Sequence, residues 1–338
     1  MISALRGAGV EVVERHVPVW EGRRERWTAG AGTAARIALA EVRLARRVPG
    51  DVDALVVGYP GQPDLAAARR AARGRPVVFN ALVSLHETLV DDRRRLRSGS
   101  IAARALLALD RAALRTADLV VADTEANAEF LAALAGLPRS RVAVCLVGAE
   151  ERLFRPGWRA VEPWTCLFVG KLIPLHGLET ILAAARLAPD VPFRLVGSGQ
   201  LQALLAERPA NVEWVPWIEY ELLPRELHRA GCALGVFGRS PKAARVIPNK
   251  AYQALACGTP LVTGDTPAAA RELLTDGESA LLVPPGDPEA LADAVRRLRD
   301  DRALADRIAQ GGRAVYEERA SEKVLGARWR LLLERLAA

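Results

Sequence analysis

Short β-branched apolar runs alternate along this chain with longer Ala, Leu and Arg stretches of helical period, the pattern of parallel sheets wrapped by helices. Strands are expected over residues 10–15, 54–58, 77–80, 119–122 and 142–147, with helical segments such as 101–116 between them. A second series follows at 166–169, 193–196, 212–215, 233–237, 260–263 and 280–283. Pro and Gly interrupt both periodicities between Arg155 and Pro163, so a linker belongs there. The reading is an α/β protein of two Rossmann-like domains facing a cleft, 1–155 and 156–320, with a final helical segment at 321–338. That segment puts Leu325, Trp329, Leu332 and Leu336 on one stripe, and it is expected to pack back across the domain junction. The chain opens at Ile2-Ser3-Ala4-Leu5, already helix-like, so the strand that normally begins such a domain is expected to be absent.

Length and composition agree with two packed cores: 338 residues, 50% of them apolar, with mean hydropathy +0.07. The formal charge is +7, carried almost wholly by Arg, since the lysines are Lys171, Lys242, Lys250 and Lys323. The excess is five charges in residues 1–150 and two in the remainder. These arginines are diluted by acids and are not interleaved with aromatics, which argues against nucleic acid. The densest patch, Asp91-Asp92-Arg93-Arg94-Arg95-Leu96-Arg97, reads first as a solvated helix end and second as a contact for an anionic membrane. Cys145, Cys166, Cys232 and Cys257 lack paired spacing and read as buried, reduced thiols, so a cytoplasmic setting is expected, with peripheral contact to the inner membrane face left open. No uncharged apolar run approaches the ~18 residues of a membrane span.

Two segments carry candidate chemistry. In Leu167-Phe168-Val169-Gly170-Lys171-Leu172-Ile173-Pro174-Leu175-His176-Gly177 a strand ends in Gly, and a Lys and a His five residues apart precede a helix. Lys171 and His176 are placed to meet an anion at the strand's carboxyl edge and the helix mouth, although His176 alone also reads as a cap. The second segment holds Arg239, Lys242 and Arg245, then Pro248-Asn249-Lys250-Ala251-Tyr252-Gln253 up to Gly258. Pro248 is expected at a first helical position and Gly258 at the stop, with Asn249 and Gln253 on one face. Asp51-Val52-Asp53 mimics a metal-binding motif but reads as a cap or turn.

These residues, in this order, resemble the nucleotide-sugar domain of the retaining family-four glycosyltransferases, two-domain enzymes of the GT-B fold. Further resemblance lies in Leu195-Val196-Gly197-Ser198-Gly199, in Asn211 to Trp217, in Ala254 to Gly258, and in Asp276-Gly277 followed by Leu281 to Asp287. Residues 164–290 are covered well and the first half more weakly. The resemblance implies transfer of a sugar from a nucleoside-diphosphate sugar to a carbohydrate, glycolipid or small-molecule acceptor hydroxyl with retention, without a cofactor and without a divalent metal. Lys171 stands where the family has Arg and His176 where it has Lys, the pair that grips the donor diphosphate. The implied donor site also takes in Gly170, Gly197, Arg245, Pro248, Asn249, Lys250 and Gln253, with Trp217 and Ile218 in the region that contacts the base.

The departures are specific. The family's paired glutamates fall at Arg245 and Gln253, so neither carboxylate is present. Gln253 can still bond ribose hydroxyls, whereas Arg245 cannot accept a bond from a sugar and is reassigned to phosphate or a carboxylated sugar. The family's catalytic-region His falls near Leu82, leaving His86, four residues on, as the candidate. Trp217 reads as packing at the core edge. The acceptor is expected around Gly58-Tyr59-Pro60-Gly61, Ser84 to Thr88 and the arginine patch. The rival reading is an inactive nucleotide-sugar-binding relative with a regulatory or scaffold role.

Overall fold

The computed structural model describes residues 1–19, 31–45, 52–159 and 162–337. Two parallel sheets form among them. The first has the order β1 (Leu55–Val57), β2 (Val77–Asn80), β3 (Leu119–Ala122), β4 (Val142–Val144). The second contains β5 (Cys166–Val169), β6 (Phe193–Val196), β7 (Val212–Val215), β8 (Cys232–Leu234), β9 (Leu261–Gly264) and β10 (Leu281–Val283), in the order β10-β9-β8-β5-β6-β7. This is the two-sheet α/β architecture expected from the alternation.

Burial on both faces explains why β5 and β8 are apolar throughout, whereas Arg194 of β6 and Glu213 of the edge strand β7 reach the surface and pair with each other. In β5, Cys166 and Phe168 enter a core with the helices Leu178–Leu187 and Pro288–Asp300, while Leu167 faces a second core built around the helix Asn249–Cys257. Each such fully buried Leu or Phe contributes roughly 1.5–3 kcal/mol. The first sheet divides in the same way. Val77, Phe79, Val120 and Ala122 face one set of helices, and Val78 and Val121 face Ala4 and Leu5 of the helix Ile2–Gly7 together with Leu325, Trp329 and Leu332 of the helix Glu322–Ala337. The chain's last helix therefore rests on the first sheet. Helix ends follow local chemistry: Ser100 caps Ile101–Thr116, Thr124 caps Glu125–Ala135, and Gly136 and Gly258 stop their helices in the left-handed region.

Three expectations are corrected. Residues 10–15 form no strand: Val10 donates its N–H back to Leu5, Arg6 pairs with Glu14, and Val10 and Val12 lean on the face of the first sheet. Pro248 is not the first helical residue but the extended residue just before it, its carbonyl accepting from Ala251. The patch at 91–97 is not wholly a solvated helix end, because Asp92 is buried at the end of a π-helix, Glu87–Asp92. Asp51 of the metal-like motif, and Ala160 and Val161 of the linker, lie outside the described residues. All four cysteines are buried free thiols. Among the described residues no helix is long and apolar enough to cross a membrane.

Candidate functional site

In the second sheet the chain runs outward through β5, β6 and β7, then returns to the other side of β5 with β8, so the strand order reverses between β5 and β8. Crevices outside the carboxyl ends of strands at such a reversal are where open α/β sheets hold ligands. Gly170 and Lys171 end β5 at this crevice, the turn Pro174–His176 lines it, and the helices Pro241–Arg245 and Asn249–Cys257 follow β8.

Close backbone approach shapes the floor. A Cβ on Gly197 would overlap the Gly170 carbonyl oxygen, and the loops after β5 and β6 are joined by Gly170 N–H to Val196 O (2.9 Å) and Leu172 N–H to Ser198 O (3.0 Å). A Cβ on Gly170 would lie 2.8 Å from Lys250 Nζ and 3.3 Å from the His176 ring, so the absence of a side chain there admits both groups. Lys250 Nζ stands 3.8 Å from the centre of the Phe168 ring and has no hydrogen-bond partner, and burial holds its pKa well below the ordinary lysine range. His176 donates from Nδ1 to the Lys171 carbonyl oxygen at 2.5 Å, which leaves Nε2 as an acceptor. Burial first, then Lys250, hold its pKa well below the usual imidazole value, so the ring is neutral. Desolvation, with Arg93 and Arg95 across the cleft, lowers Lys171.

The first domain closes over this crevice. Buried Asp110, on the helix Ile101–Thr116, accepts from Ser84 Oγ (2.7 Å) and from the N–H groups of Leu85 (3.0 Å) and His86 (2.8 Å), fixing the entry to the π-helix. From that helix Glu87 pairs with Arg245, and Thr88 Oγ1 accepts from Lys242 Nζ at 2.6 Å. Thr124 Oγ1 donates to the Arg245 carbonyl at 2.5 Å, and Glu272 accepts from the N–H groups of Glu125 (2.7 Å) and Ala126 (3.2 Å). Gln200 Nε2 reaches the Arg93 carbonyl at 2.9 Å. Burial brings Lys242 down to about 8 and Asp123 up to about 6.

Gly170, Lys171, His176, Gly197 and Lys250 thus gather at the crevice. Arg245 does not offer its charge there: its guanidinium is engaged by Glu87 and stacks 4.0 Å over the Phe130 ring. Asn249 is exposed, and Gln253 donates to Tyr220 Oη at 3.5 Å. Trp217 is 63% exposed rather than packed at the core edge, while Ile218 leans on the second core. His86 Nδ1 lies 3.6 Å from Asp91. Leu82, in the register of the family's His, has φ +52°, an uncommon left-handed conformation for a leucine. From the sequence Asp110 has no role, Glu87 and Thr88 belong only to the acceptor region, and Asp92 only to the charged patch. The partners of Glu87 and Thr88 lie 158 and 154 residues along the chain, so no local signal marks the pairing.

A family model for glycosyl transferases group 1 matches residues 163–301. The match takes in all six strands of the second sheet. It is 30% identical over 232 residues to a D-inositol 3-phosphate glycosyltransferase of Nocardioides sp., covering 59% of this chain and 49% of that protein. It is 29% identical over 357 residues to D-inositol 3-phosphate glycosyltransferase 1 of Catenulispora acidiphila, covering 97% of this chain and 80% of that one. The chain therefore spans about half the length of the first relative and four-fifths of the second. Among solved structures it is similar to sucrose-phosphate synthase from Thermosynechococcus elongatus, with TM-score 0.72, 19% identity, and coverage of 90% of this chain and 78% of that one. It is also similar to Anabaena HepE in complex with UDP-glucose, with TM-score 0.67, 16% identity, and coverage of 88% and 82%. The chain thus has the GT-B fold of these solved structures.

Proposed function

We propose that this chain is a glycosyltransferase of group 1 that transfers a sugar from a nucleoside-diphosphate sugar to an acceptor hydroxyl with retention of anomeric configuration. The observation that carries the reading is the crevice at the β5/β8 reversal, where the Lys250 ammonium, buried and without a hydrogen-bond partner, stands beside Gly170 and neutral His176. A nucleoside diphosphate supplies the anion this arrangement lacks. Lys171 and Lys250 neutralise the leaving diphosphate, and fixed positive groups in a closed cleft act on such a charge without reorganising. In this reading no divalent metal takes part, which activity in the presence of a chelator checks. The UDP-glucose bound to HepE and the inositol-phosphate acceptors named for the relatives supply the classes to try first. The acceptor enters from the first domain, where Tyr59 and the exposed Arg94, Arg95 and Arg97 face outward. A phosphorylated or lipid-linked acceptor at an anionic membrane suits those arginines, and a cytoplasmic setting suits the buried thiols.

The test begins with thermal unfolding of the full chain in UDP, GDP, ADP, CMP and TDP. A ligand at 100 times its Kd adds about 2.7 kcal/mol. A selective upward shift that vanishes in Lys171→Ala supports the reading, and product mass with the matching nucleotide sugar and inositol phosphate then reports transfer and its stereochemistry. One observation favours the rival reading of an inactive binder: the positions of both family glutamates are filled, Arg245 by an ion pair with Glu87 and Gln253 by a contact to Tyr220. Nucleotide binding without any product would establish it.

A further inference from the structure

The π-helix that the first domain lays against the crevice carries one charged group with no partner. Of its side chains facing the second domain, Glu87 is bonded to Arg245 and Thr88 to Lys242. Asp92, at its end, is 4% exposed, and neither of its carboxylate oxygens meets a hydrogen-bond donor. Burial raises its pKa, and Lys242 and Arg93 are near enough to oppose that rise, yet neither donates to it.

The course of the segment places it over the crevice. Its first residues contact the helix Pro241–Arg245, which follows β8, and the Arg93 carbonyl is held by Gln200 in the loop after β6. β5 lies between β8 and β6, so the chain from Glu87 to Arg93 crosses the carboxyl end of β5, where Gly170 and Lys171 sit. Arg93 acts electrostatically on Lys171, His176 and Lys242 alike, as a residue above the crevice must. Single π turns within helical segments recur at functional sites.

The donors around the crevice, Lys171, Lys242, Lys250 and Arg93, cannot accept a hydrogen bond, whereas a sugar hydroxyl needs an acceptor for its proton. We propose that Asp92 is the specificity residue of this cleft, its two carboxylate oxygens accepting hydrogen bonds from adjacent hydroxyls of the sugar carried on the nucleotide. The proposal rests on the donor-site reading above. It gives the cleft the carboxylate that Arg245 and Gln253 do not supply, from the opposite domain. It also selects a neutral sugar with a free vicinal diol over a uronic acid, whose carboxylate would face Asp92 in a desolvated space.

The experiment compares wild type with Asp92→Asn and Asp92→Ala, in the full chain, by thermal unfolding and calorimetric titration with UDP, GDP and ADP and with their glucose conjugates. Three results are expected. The ligand-free variants unfold at a higher temperature than wild type, because a buried carboxylate without a hydrogen bond has been removed. The nucleoside diphosphate binds variants and wild type within about twofold. The nucleotide sugar, which binds wild type about tenfold or more tightly than its diphosphate, loses that advantage in both variants. Ligand-free variants that unfold at lower temperature would make Asp92 a structural residue and overturn the proposal. So would a sugar advantage that survives in both variants, or one absent from wild type. If no diphosphate binds wild type at all, the donor-site reading itself fails and the role of Asp92 falls with it, an outcome separable from the others because the wild-type arm alone reveals it.

Discussion

Arg245, at the end of a short helix of the second domain, forms a buried ion pair with Glu87 of the first domain's π-helix, and its guanidinium lies 4.0 Å over the Phe130 ring. The side chain in a position where the family carries a carboxylate is thus committed to holding the domains together. Removing one member of a buried pair leaves the other charge unanswered, at a cost of about 3 kcal/mol. Arg245→Ala should lower unfolding stability by roughly that amount, and Arg245→Glu by at least as much, since two carboxylates then meet. The exchange Arg245→Glu with Glu87→Arg should recover part of the loss. Denaturant midpoints of the four proteins measure the coupling. Additive losses would mean that the pair holds nothing, and an Arg245→Glu variant more active than wild type would show that the site wants its glutamate back.

The floor of the crevice makes a second prediction. Gly197→Ala places a methyl against the Gly170 carbonyl at φ +142°, and neither backbone can retreat without breaking the Gly170 to Val196 and Leu172 to Ser198 bonds. The expected cost is at least ~2 kcal/mol, together with loss of nucleotide binding. A Gly197→Ala protein with wild-type stability would show that the two loops can separate without loss.

Lys250 should behave as a group kept for a ligand. Its amino group is enclosed without a hydrogen bond, 3.8 Å from the centre of the Phe168 ring and beside Gly170. Lys250→Met, similar in length and apolar, should raise ligand-free stability by ~1 kcal/mol and weaken nucleoside diphosphate binding about tenfold or more. Unfolding midpoints and titration calorimetry read the two effects separately. A destabilised variant that still binds nucleotide would make Lys250 a packing residue.

How far the sequence reveals all this depends on the range of the interactions involved. β5, β6 and β7 are legible to the residue because each is a short, mostly apolar run bounded by Gly or Pro, with Phe193, Leu195 and Val212 still reaching the core where Arg194 and Glu213 do not. Residues 10–15 have the same β-branched character but no strand beside them, and periodicity does not reveal whether a ladder partner exists. Lys171, His176 and Lys250 are found together because a strand end and a helix amino end are local signals. The ion pair of Arg245 with Glu87 joins residues 158 apart, across two independently patterned domains, and nothing near either residue marks the other. Asp92 is misread for a similar reason. Its arginine neighbours give the composition of a solvated segment, yet the fold buries it.

The interface also makes stability depend on pH in a way that Lys242 should control. Burial brings its ammonium to about 8 from an ordinary 10.5. Between those values the unfolded chain holds a proton that the folded chain has released, so this group makes wild-type stability rise with pH over that interval. Below about pH 8 both states are protonated and the burial cost is felt in full. Lys242→Met removes the titration along with the bond to Thr88. The loss of that bond shifts the variant's stability by a constant, but the stability of Met relative to wild type should fall by up to ~3 kcal/mol as the pH climbs from about 7 to about 10.5. Denaturant unfolding of both proteins at several pH values tests this, with titrating groups remote from Lys242 cancelling in the difference. Asp92, Asp123 and His176, which feel its charge, titrate mainly below the interval. A pH-independent difference would mean that Lys242 keeps its proton throughout and that solvent reaches it between the domains.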